Sequence, residues 1–234
     1  MIEISKVTKH FGEIQALEEV NLGIATGEFI SIVGPSGCGK STLLRIIADL
    51  VSTNGSVTKP EKGAFVFQDS ALLPWRTVQK NVELLMELEG VPQRKEKAKQ
   101  ALSQVGLTGF EKSYPHQLSG GMKMRLSLAR SIVLNPDYLL LDEPLSAVDE
   151  LTREVLQEEI YEIWKKEKFT SILVTHNVAE AVYLSNRVIV MSPRPGRITH
   201  IVDIPFQERT AGIRSKLEFS NVVNDISGKL RAWK

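Results

Sequence analysis

The sequence predicts an α/β fold in which a largely parallel sheet is enclosed by helices. Two observations carry this prediction. Short continuous apolar segments, typical of strands buried on both faces, occur at residues 29–33, 138–141, 172–174 and 187–191. They alternate with longer segments whose apolar residues follow helical spacing. Alternation of this kind favours a parallel sheet with helical crossovers.

Composition limits the kinds of protein that the chain can be. Its 234 residues suit one domain, and shares of 42% hydrophobic and 24% charged residues exclude a disordered or fibrous chain. Lys and Arg number 29 against 28 Asp and Glu, so the net charge of +1 gives no reason to expect a nucleic acid partner. No apolar run approaches the ~20 residues of a membrane helix, and residues 1–6 lack the apolar core of a signal peptide. With the single Cys38, which forms no internal disulfide or zinc cluster, these features predict a cytosolic chain.

Residues 76–135 differ from the rest of the chain in being mostly helical. Two helices are predicted there from apolar residues at helical spacing, with breaks at residues 90–92 and 106. The residues that define these two helices are Val78, Val82, Leu85 and Leu88, then Ala98, Ala101, Leu102 and Val105. After residue 205, helical spacing recurs in Phe219, Val222, Val223, Ile226, Leu230 and Trp233.

We therefore predict a single domain over residues 1–234. Residues 1–75 and 136–205 form its α/β core, 76–135 form an inserted helical subdomain, and 206–234 form a helical tail. The tail either regulates, dimerises or packs as an amphipathic helix, and its apolar spacing favours packing.

A complete phosphate-binding loop follows the first of the buried strands. Residues 34–41, Gly-Pro-Ser-Gly-Cys-Gly-Lys-Ser, fit the pattern G-x-x-x-x-G-K-[ST] between a predicted strand and a predicted helix. Its glycines allow backbone N–H groups to surround phosphate oxygens at a helix N-terminus. Lys40 would reach the β- and γ-phosphates, Ser41 would bind Mg²⁺, and Thr42 would approach the α-phosphate. The sequence thus predicts a P-loop NTPase whose nucleotide-binding residues here are Gly34, Pro35, Ser36, Gly37, Cys38, Gly39, Lys40, Ser41 and Thr42.

Two carboxylates end the second buried strand. Asp142 is suited to hold Mg²⁺, and Glu143 is suited to accept a proton from an attacking water. The alternative is a pair of solvated acids before the turn at Pro144, an interpretation that the P-loop makes less attractive.

At this point the chain resembles the ABC ATPases. Residues 118–122, Leu-Ser-Gly-Gly-Met, are similar to the signature sequence of that family, and they stand upstream of the acidic strand as the family requires. The resemblance covers nearly all of residues 1–205. It implies an ABC-type nucleotide-binding domain, with a RecA-like mixed sheet, an N-terminal antiparallel β part and an inserted helical subdomain.

The resemblance also assigns roles to single residues. Phe11 matches the aromatic residue that stacks on adenine, although a core position is the alternative. Gln68 matches the glutamine that senses Mg²⁺ and the attacking water, and otherwise it only caps a strand. His176 matches the switch histidine that contacts the γ-phosphate. Asp149 matches the aspartate that crosses a dimer interface.

The signature segment implies a site shared between two chains. Ser119, Gly120 and Gly121 begin a predicted helix, whose N-terminus is a second anion-binding site. In the family this end faces the P-loop of a second copy, so that two ATP molecules are held in a homodimer. The sequence departs from the family pattern at Met122, residues 123–125 and Asn177, with effects that the sequence does not determine.

Two segments, residues 67–78 and 191–198, are similar to the importer ATPases that serve nitrate, sulfonate, taurine and thiamine-precursor uptake. The resemblance implies a peripheral subunit on the cytoplasmic face of the membrane, with permease subunits as partners and, indirectly, a solute-binding protein. Trp75 is then either core or surface near the permease. The alternative is a soluble ABC ATPase that acts on DNA or ribosomes, which the lack of long heptads and of a second cassette disfavours. The solute and the direction of transport are not encoded in these motifs.

Overall fold

The computed structural model describes residues 1–232, and predicted tail residue Trp233 lies outside this range together with Lys234. In chain order the elements are β1 (Ile2–Phe11), β2 (Ile14–Ile24), β3 (Phe29–Val33), α1 (Lys40–Ile47), β4 (Asn54–Thr58), β5 (Gly63–Val66), α2 (Val78–Leu88), α3 (Arg94–Gln104), α4 (Gly120–Ile132), β6 (Tyr138–Asp142), α5 (Glu150–Glu167), β7 (Thr170–Val174), α6 (Val178–Leu184), β8 (Arg187–Met191), β9 (Ile198–Asp203) and α7 (Leu217–Arg231).

Two sheets organise the fold and confirm the predicted class. Strands β2, β1 and β4 form an antiparallel sheet, in that order. The larger sheet has the order β5-β6-β7-β3-β8-β9 and is parallel except for β9. All four apolar segments identified in the sequence are strands of this larger sheet. It is a mixed sheet because β9 returns antiparallel to β8.

The four central strands of the larger sheet, β6, β7, β3 and β8, are buried on both faces, which explains why they are almost continuously apolar. Alternate side chains of one strand enter different cores. In β3, Ile30 and Ile32 pack with α1 and the antiparallel sheet, whereas Phe29 and Val33 pack on the side of the remaining helices. Strand β3, which leads into the P-loop, therefore lies between two cores.

Helices α2 and α3 occupy the segment predicted to be helical, and α4 begins within the signature segment. The buried row of α2 differs from the expected one. Val78, Val82 and Met86 are fully buried at i, i+4 spacing, whereas Leu88 is the last helical residue and is 77% exposed. Helix α4 packs against α2 and α3 and also against β5 and α5, so it connects this segment to the sheet.

The tail ends in a helix, as the spacing of its apolar residues predicts. Phe219 and Ile226 of α7 are buried, and Val222, Val223 and Leu230 pack against the same core. Within residues 1–232, no helix combines the length and the apolar character that crossing a membrane requires.

Candidate functional site

The expected site residues lie at the carboxyl edge of the larger sheet. The P-loop follows β3, His176 follows β7, Glu143 follows β6 and Gln68 follows β5. Because parallel strands present their carboxyl ends at one edge, residues remote in sequence converge there. Cross-strand hydrogen bonds continue past the strand ends, since Glu143 N donates to Val174 O at 2.9 Å and Thr175 N donates to Ile32 O at 3.2 Å.

The P-loop has the backbone of an anion cradle. Gly39 has a φ of 105° and precedes α1 without any side-chain cap, so the first N–H groups of α1 have no side chain bound to them. A Cβ on Gly39 would stand 2.7 Å from Leu17 Cδ2 and 2.9 Å from Ala16 O. Strand β2 therefore presses the loop into place, and only glycine fits this position.

Two side chains of the P-loop are buried. Lys40 Nζ donates to Gly34 O at 2.9 Å and to Pro35 O at 3.0 Å, which directs the ammonium group to the inside of the loop. Cys38 packs in the core below the loop, and burial raises the pKa of its thiol. Cys38 thus fills space below the cradle as a small, uncharged side chain.

Ser41 and Asp142 are brought together from separate elements. The Ser41 hydroxyl donates to Asp142 Oδ1 at 2.7 Å, although the two residues are 101 positions apart. A hydroxyl and a carboxylate are the oxygen donors that Mg²⁺ prefers. The donor set therefore fits the metal that the P-loop motif implies.

Glu143 and His176 form the second pair at this edge. Glu143 Oε2 and His176 Nδ1 are 2.9 Å apart, and Glu143 is partly buried whereas His176 is exposed. Glu143 has a φ of 45°, in the left-handed region that disfavours a side chain with a Cβ. Such strain is typical of a residue whose position matters for function. The carboxylate is therefore aimed at the imidazole and lines the same cleft as the P-loop.

A buried acid supports the turn that carries His176. Glu180 is 4% exposed, and the Thr175 hydroxyl donates to its Oε2 at 2.5 Å. Asn177 N in turn donates to Thr175 Oγ1 at 3.0 Å, and Glu180 N donates to Asn177 Oδ1 at 3.1 Å. Burial raises the pKa of Glu180 to about 7, and the Thr175 hydrogen bond and the charge of Arg153 oppose this shift.

A cleft of about 350 Å³ runs over the P-loop. Phe11, Ile14 and Ala16 form its apolar wall, and Glu143 and Arg194 add charged side chains. Phe11 is half exposed, with Lys9 Nζ 5.1 Å from its ring centroid, so the core alternative for Phe11 is wrong. A half-exposed ring at this place is suited to stack on a planar base.

Five of the expected residues, counting Asp149, make no hydrogen bond to this cluster within the described part of the chain. Gln68 is exposed two residues beyond the end of β5, the strand next to β6, and its side chain makes no hydrogen bond within the described residues. Ser119 caps α4 by accepting from Met122 N at 3.3 Å, and Gly120 and Gly121 pack against the segment before α5 and its first turn. None of these residues lines the P-loop cleft.

Asp149 likewise stands away from the cleft, as the N-cap of α5. Its Oδ1 accepts from Thr152 N at 3.1 Å, and this hydrogen bond holds the pKa of Asp149 below its usual value. Asp149 and the signature residues thus lie on one surface, since a Cβ on Gly121 would stand 2.9 Å from Thr152 Cγ2.

The departures from the family pattern have structural correlates. Asn177 caps α6 with its side-chain oxygen, a role in which Asn and Asp are equivalent. Met122 packs partly on the core, and Met124 is buried.

Trp75 is 72% exposed, so the core alternative for Trp75 is wrong.

A larger cleft of about 770 Å³ lies between β5 and helices α2 and α4. Phe65, Phe67, Leu85 and Arg130 are among its lining residues, and no P-loop residue is. The smaller cleft is the better candidate for chemistry because it alone, of these two, contains the phosphate cradle and Glu143.

Sequence reasoning did not identify Ile14, Ala16, Glu180 and Arg194 as parts of the site or its support. Arg194 follows β8, which pairs with β3, so its place at the carboxyl edge was accessible from strand order. Ile14 and Ala16 lie on β2, and no local pattern distinguishes them from other strand residues.

Comparison with known proteins identifies a family. The family model described as ABC transporter matches residues 17–146, which is more than half of the chain. An uncharacterized ABC transporter ATP-binding protein of Methanocaldococcus jannaschii is 47% identical over 233 residues, covering 93% of this chain and 86% of that relative. The aliphatic sulfonates import ATP-binding protein SsuB of Bacillus cereus is 43% identical over 215 residues, covering 86% of this chain and 85% of the relative.

A solved structure of an ATP-binding cassette supports the same family. A dimeric ATP-binding cassette in a post-hydrolysis state, bound to ADP and phosphate, superposes with a TM-score of 0.77 at 32% identity. The superposition covers 88% of this chain and all of that one.

Proposed function

This chain belongs to the ABC transporter family and is an ATPase of that family, and we propose that it drives the import of a small solute through a membrane permease. The import part of the proposal is supported by similarity to an import ATP-binding protein, and the ATPase part by the convergence of two side-chain pairs on one phosphate cradle. Ser41 with Asp142 provides oxygen donors, and Glu143 with His176 provides a proton acceptor and its partner. Together they supply what phosphoryl transfer to water requires.

In the proposed reaction, the P-loop and Lys40 bind the phosphates of ATP, and Phe11 stacks on adenine. Glu143 accepts the proton of the attacking water, and His176 keeps the carboxylate oriented and contacts the γ-phosphate. Ser41, Asp142 and Gln68 would hold Mg²⁺, which when bound neutralises phosphate charge.

We further propose that two copies share each site. Of the signature residues, Ser119 and Gly120 are exposed at the start of α4 whereas Gly121 is buried, and Asp149 lies on the same surface. An anion-binding helix end that faces away from its own cleft is complementary to the cleft of a second copy. ATP would then hold the dimer closed, and hydrolysis would loosen it.

The proposed membrane partner is a pair of permease subunits. Trp75 is exposed, and the cleft of about 770 Å³ beside β5 offers an apolar surface next to the segment that carries Gln68. Docking there would connect Gln68 to transport. The chain would be a peripheral subunit on the cytoplasmic face of the membrane.

The proposed solute is a small anion or zwitterion such as an aliphatic sulfonate. The support is similarity to the sulfonate import protein and the segments 67–78 and 191–198. An extracytoplasmic solute-binding protein would deliver the solute to the permease.

The test is a pull-down of the tagged chain from gently solubilised membranes, followed by mass spectrometry. We expect a multi-span membrane protein to be recovered, and W75A to reduce its recovery while E218Q, on exposed α7, does not. ATPase activity of the recovered complex in vesicles is then measured with and without sulfonates and a solute-binding protein. Recovery of ribosomes or DNA instead would support a soluble ABC ATPase.

A further inference from the structure

The loop after β8 brings a guanidinium to the mouth of the nucleotide cleft. Val33, the last residue of β3, pairs in parallel with Val190, so the loop after β8 starts beside the P-loop. Arg194 of this loop lines the same cleft as Phe11. Its Nη2 lies 3.8 Å from the position that a Cβ on Gly37 would occupy. Arg194 is thus within reach of whatever the phosphate cradle holds.

The backbone of this loop is held by hydrogen bonds. Ser192 N donates to Arg197 O at 3.0 Å, and Arg197 N donates to Ser192 Oγ at 3.1 Å, which closes the loop. Gly196 N donates to Ala16 O at 2.9 Å, and Glu18 N donates to Gly196 O at 3.0 Å, which fixes the loop to β2. The base from which Arg194 projects is therefore rigid.

The loop also contacts the P-loop without any intervening side chain. A Cβ on Gly196 would stand 2.0 Å from Cys38 O and 2.8 Å from Met191 Cε. Backbone therefore packs on backbone at this point, and the distance from Arg194 to the phosphate cradle is set by the fold.

The guanidinium of Arg194 is available for a ligand. Within residues 1–232 it makes no hydrogen bond or ion pair and its side chain is exposed. Arg197, three positions along, instead lies 3.7 Å from Glu18 Oε2 and does not line the cleft. A guanidinium presents paired N–H donors that match phosphate oxygens, and it stays charged at any physiological pH.

We propose that Arg194 is a nucleotide-binding residue whose guanidinium contacts the polyphosphate chain of ATP or ADP in the same subunit. It adds a second cation to Lys40 at the cleft, from a loop outside the P-loop and the acidic strand. This inference rests on the proposed function, because it requires nucleotide in the cleft over the P-loop.

The test compares R194A, R194K and R197A in the full chain. Affinities for Mg–ADP and for adenosine at millimolar concentrations are measured by competition with a fluorescent ADP derivative. We expect R194A to bind ADP about tenfold more weakly, a change equivalent to one charge-assisted contact, and to bind adenosine within twofold of the unaltered chain. The affinity of R194K for ADP should lie between those of R194A and the unaltered chain, because lysine keeps the charge but loses the paired donors. R197A should match the unaltered chain.

Each other outcome overturns the inference in a distinguishable way. If R194A and R197A bind ADP equally well and as well as the unaltered chain, Arg194 is not a ligand, while the proposed function stands. If R194A weakens adenosine as much as ADP, the contact is not to phosphate. If the unaltered chain binds no Mg–ADP, the proposed function and the inference both fail.

Discussion

The starts of α1 and α4 are both anion-binding helix ends, yet the chain completes only one of them. At α1, the P-loop surrounds the uncapped helix end, and Ser41 is bonded to Asp142 from another strand. At α4, Ser119 caps its own helix and is exposed, and no part of the P-loop cleft adjoins it. The first helix end is part of a site that one chain forms by itself, whereas the second is exposed on the surface of the chain.

This difference indicates where the protein is organised for chemistry and where it is organised for recognition. Groups around α1 come from the ends of β3, β6 and β7 and are held by hydrogen bonds, so they keep their geometry in an isolated subunit. The groups around α4 would contact nucleotide only when a second copy of the chain docks on them. Substitutions around α4 should therefore slow hydrolysis without changing nucleotide binding by an isolated subunit.

The largest effect is expected for E143Q, on the completed side. The amide keeps the shape of the carboxylate but accepts no proton, so the ATPase rate should fall by about 10³-fold with little change in ATP affinity. With the γ-phosphate retained, the protein should accumulate as an ATP-bound dimer. Size-exclusion chromatography with Mg–ATP and a phosphate-release assay measure both effects.

E218Q is the matched control, since Glu218 is an exposed acid on α7. It should hydrolyse ATP at the unaltered rate. An E143Q protein that elutes as a monomer with saturating ATP would contradict the shared site, and unimpaired hydrolysis would contradict the role of Glu143.

The next effect concerns the support of the same side and depends on pH. Glu180 has a pKa of about 7 in the fold against the ordinary value of 4.5, so between these pH values the folded chain holds the proton that the unfolded chain has lost. Stability from this group therefore falls as pH rises from 4.5 to 7 and stays low above 7. The total penalty is on the order of 3 kcal/mol.

E180Q removes this titration while keeping an amide for the Thr175 contact. We would measure the urea unfolding of both proteins from pH 4.5 to 8. As the pH rises, the free energy of unfolding of E180Q should increase relative to that of the unaltered chain, by about 3 kcal/mol in total. The difference between the two curves cancels the titrations that both proteins share. Two parallel stability curves would show that Glu180 titrates alike in the folded and unfolded chains.

A third substitution, S119D, tests the surface side. Asp caps a helix as well as Ser does, so the stability of α4 should be retained. Its charge would repel a phosphate brought by a second copy, and we expect the ATPase rate to fall by roughly a hundredfold. Affinity of the monomer for Mg–ADP should not change. S119D that weakens ADP binding in the monomer would place the signature segment at its own cleft and contradict the contrast between the two helix ends.

The smallest effect is expected for backbone packing below the cleft. G196A places a Cβ 2.0 Å from Cys38 O, and the loop must shift, at a cost of about 1–3 kcal/mol. G228A, in open space on α7, should instead stabilise by roughly 0.5–1 kcal/mol through helix propensity. Thermal unfolding distinguishes the two. Equal melting temperatures would show that the P-loop and the loop after β8 are not in tight contact.

The strands and the P-loop were predictable because their signals are local. A buried parallel strand is apolar at every position, and a phosphate cradle needs glycine at defined spacing. The apolar row of α2 was less predictable: Met86 is buried and Leu88 is not, because burial depends on which neighbouring helices cover each side of α2.

The candidate site was predicted in its motifs, with the family resemblance supplying the roles of Phe11, Gln68, His176 and Asp149. The contributions of Arg194 and Glu180 were not predicted. Arg194 acts through a strand pairing between β3 and β8, and Glu180 acts through burial. The residues next to Arg194 and Glu180 in sequence predict neither the strand pairing nor the burial.

The sequence by itself determined the fold class, the phosphate cradle and the acidic strand, because spacing along the chain is enough to define each of these. The tertiary structure decided which of them meet. The strand order places Asp142 against Ser41 and Glu143 against His176, while Ser119 and Asp149 cap helices outside the cleft. The physical reason is that strand order and packing join residues a hundred positions apart, and local sequence carries no information about those distances.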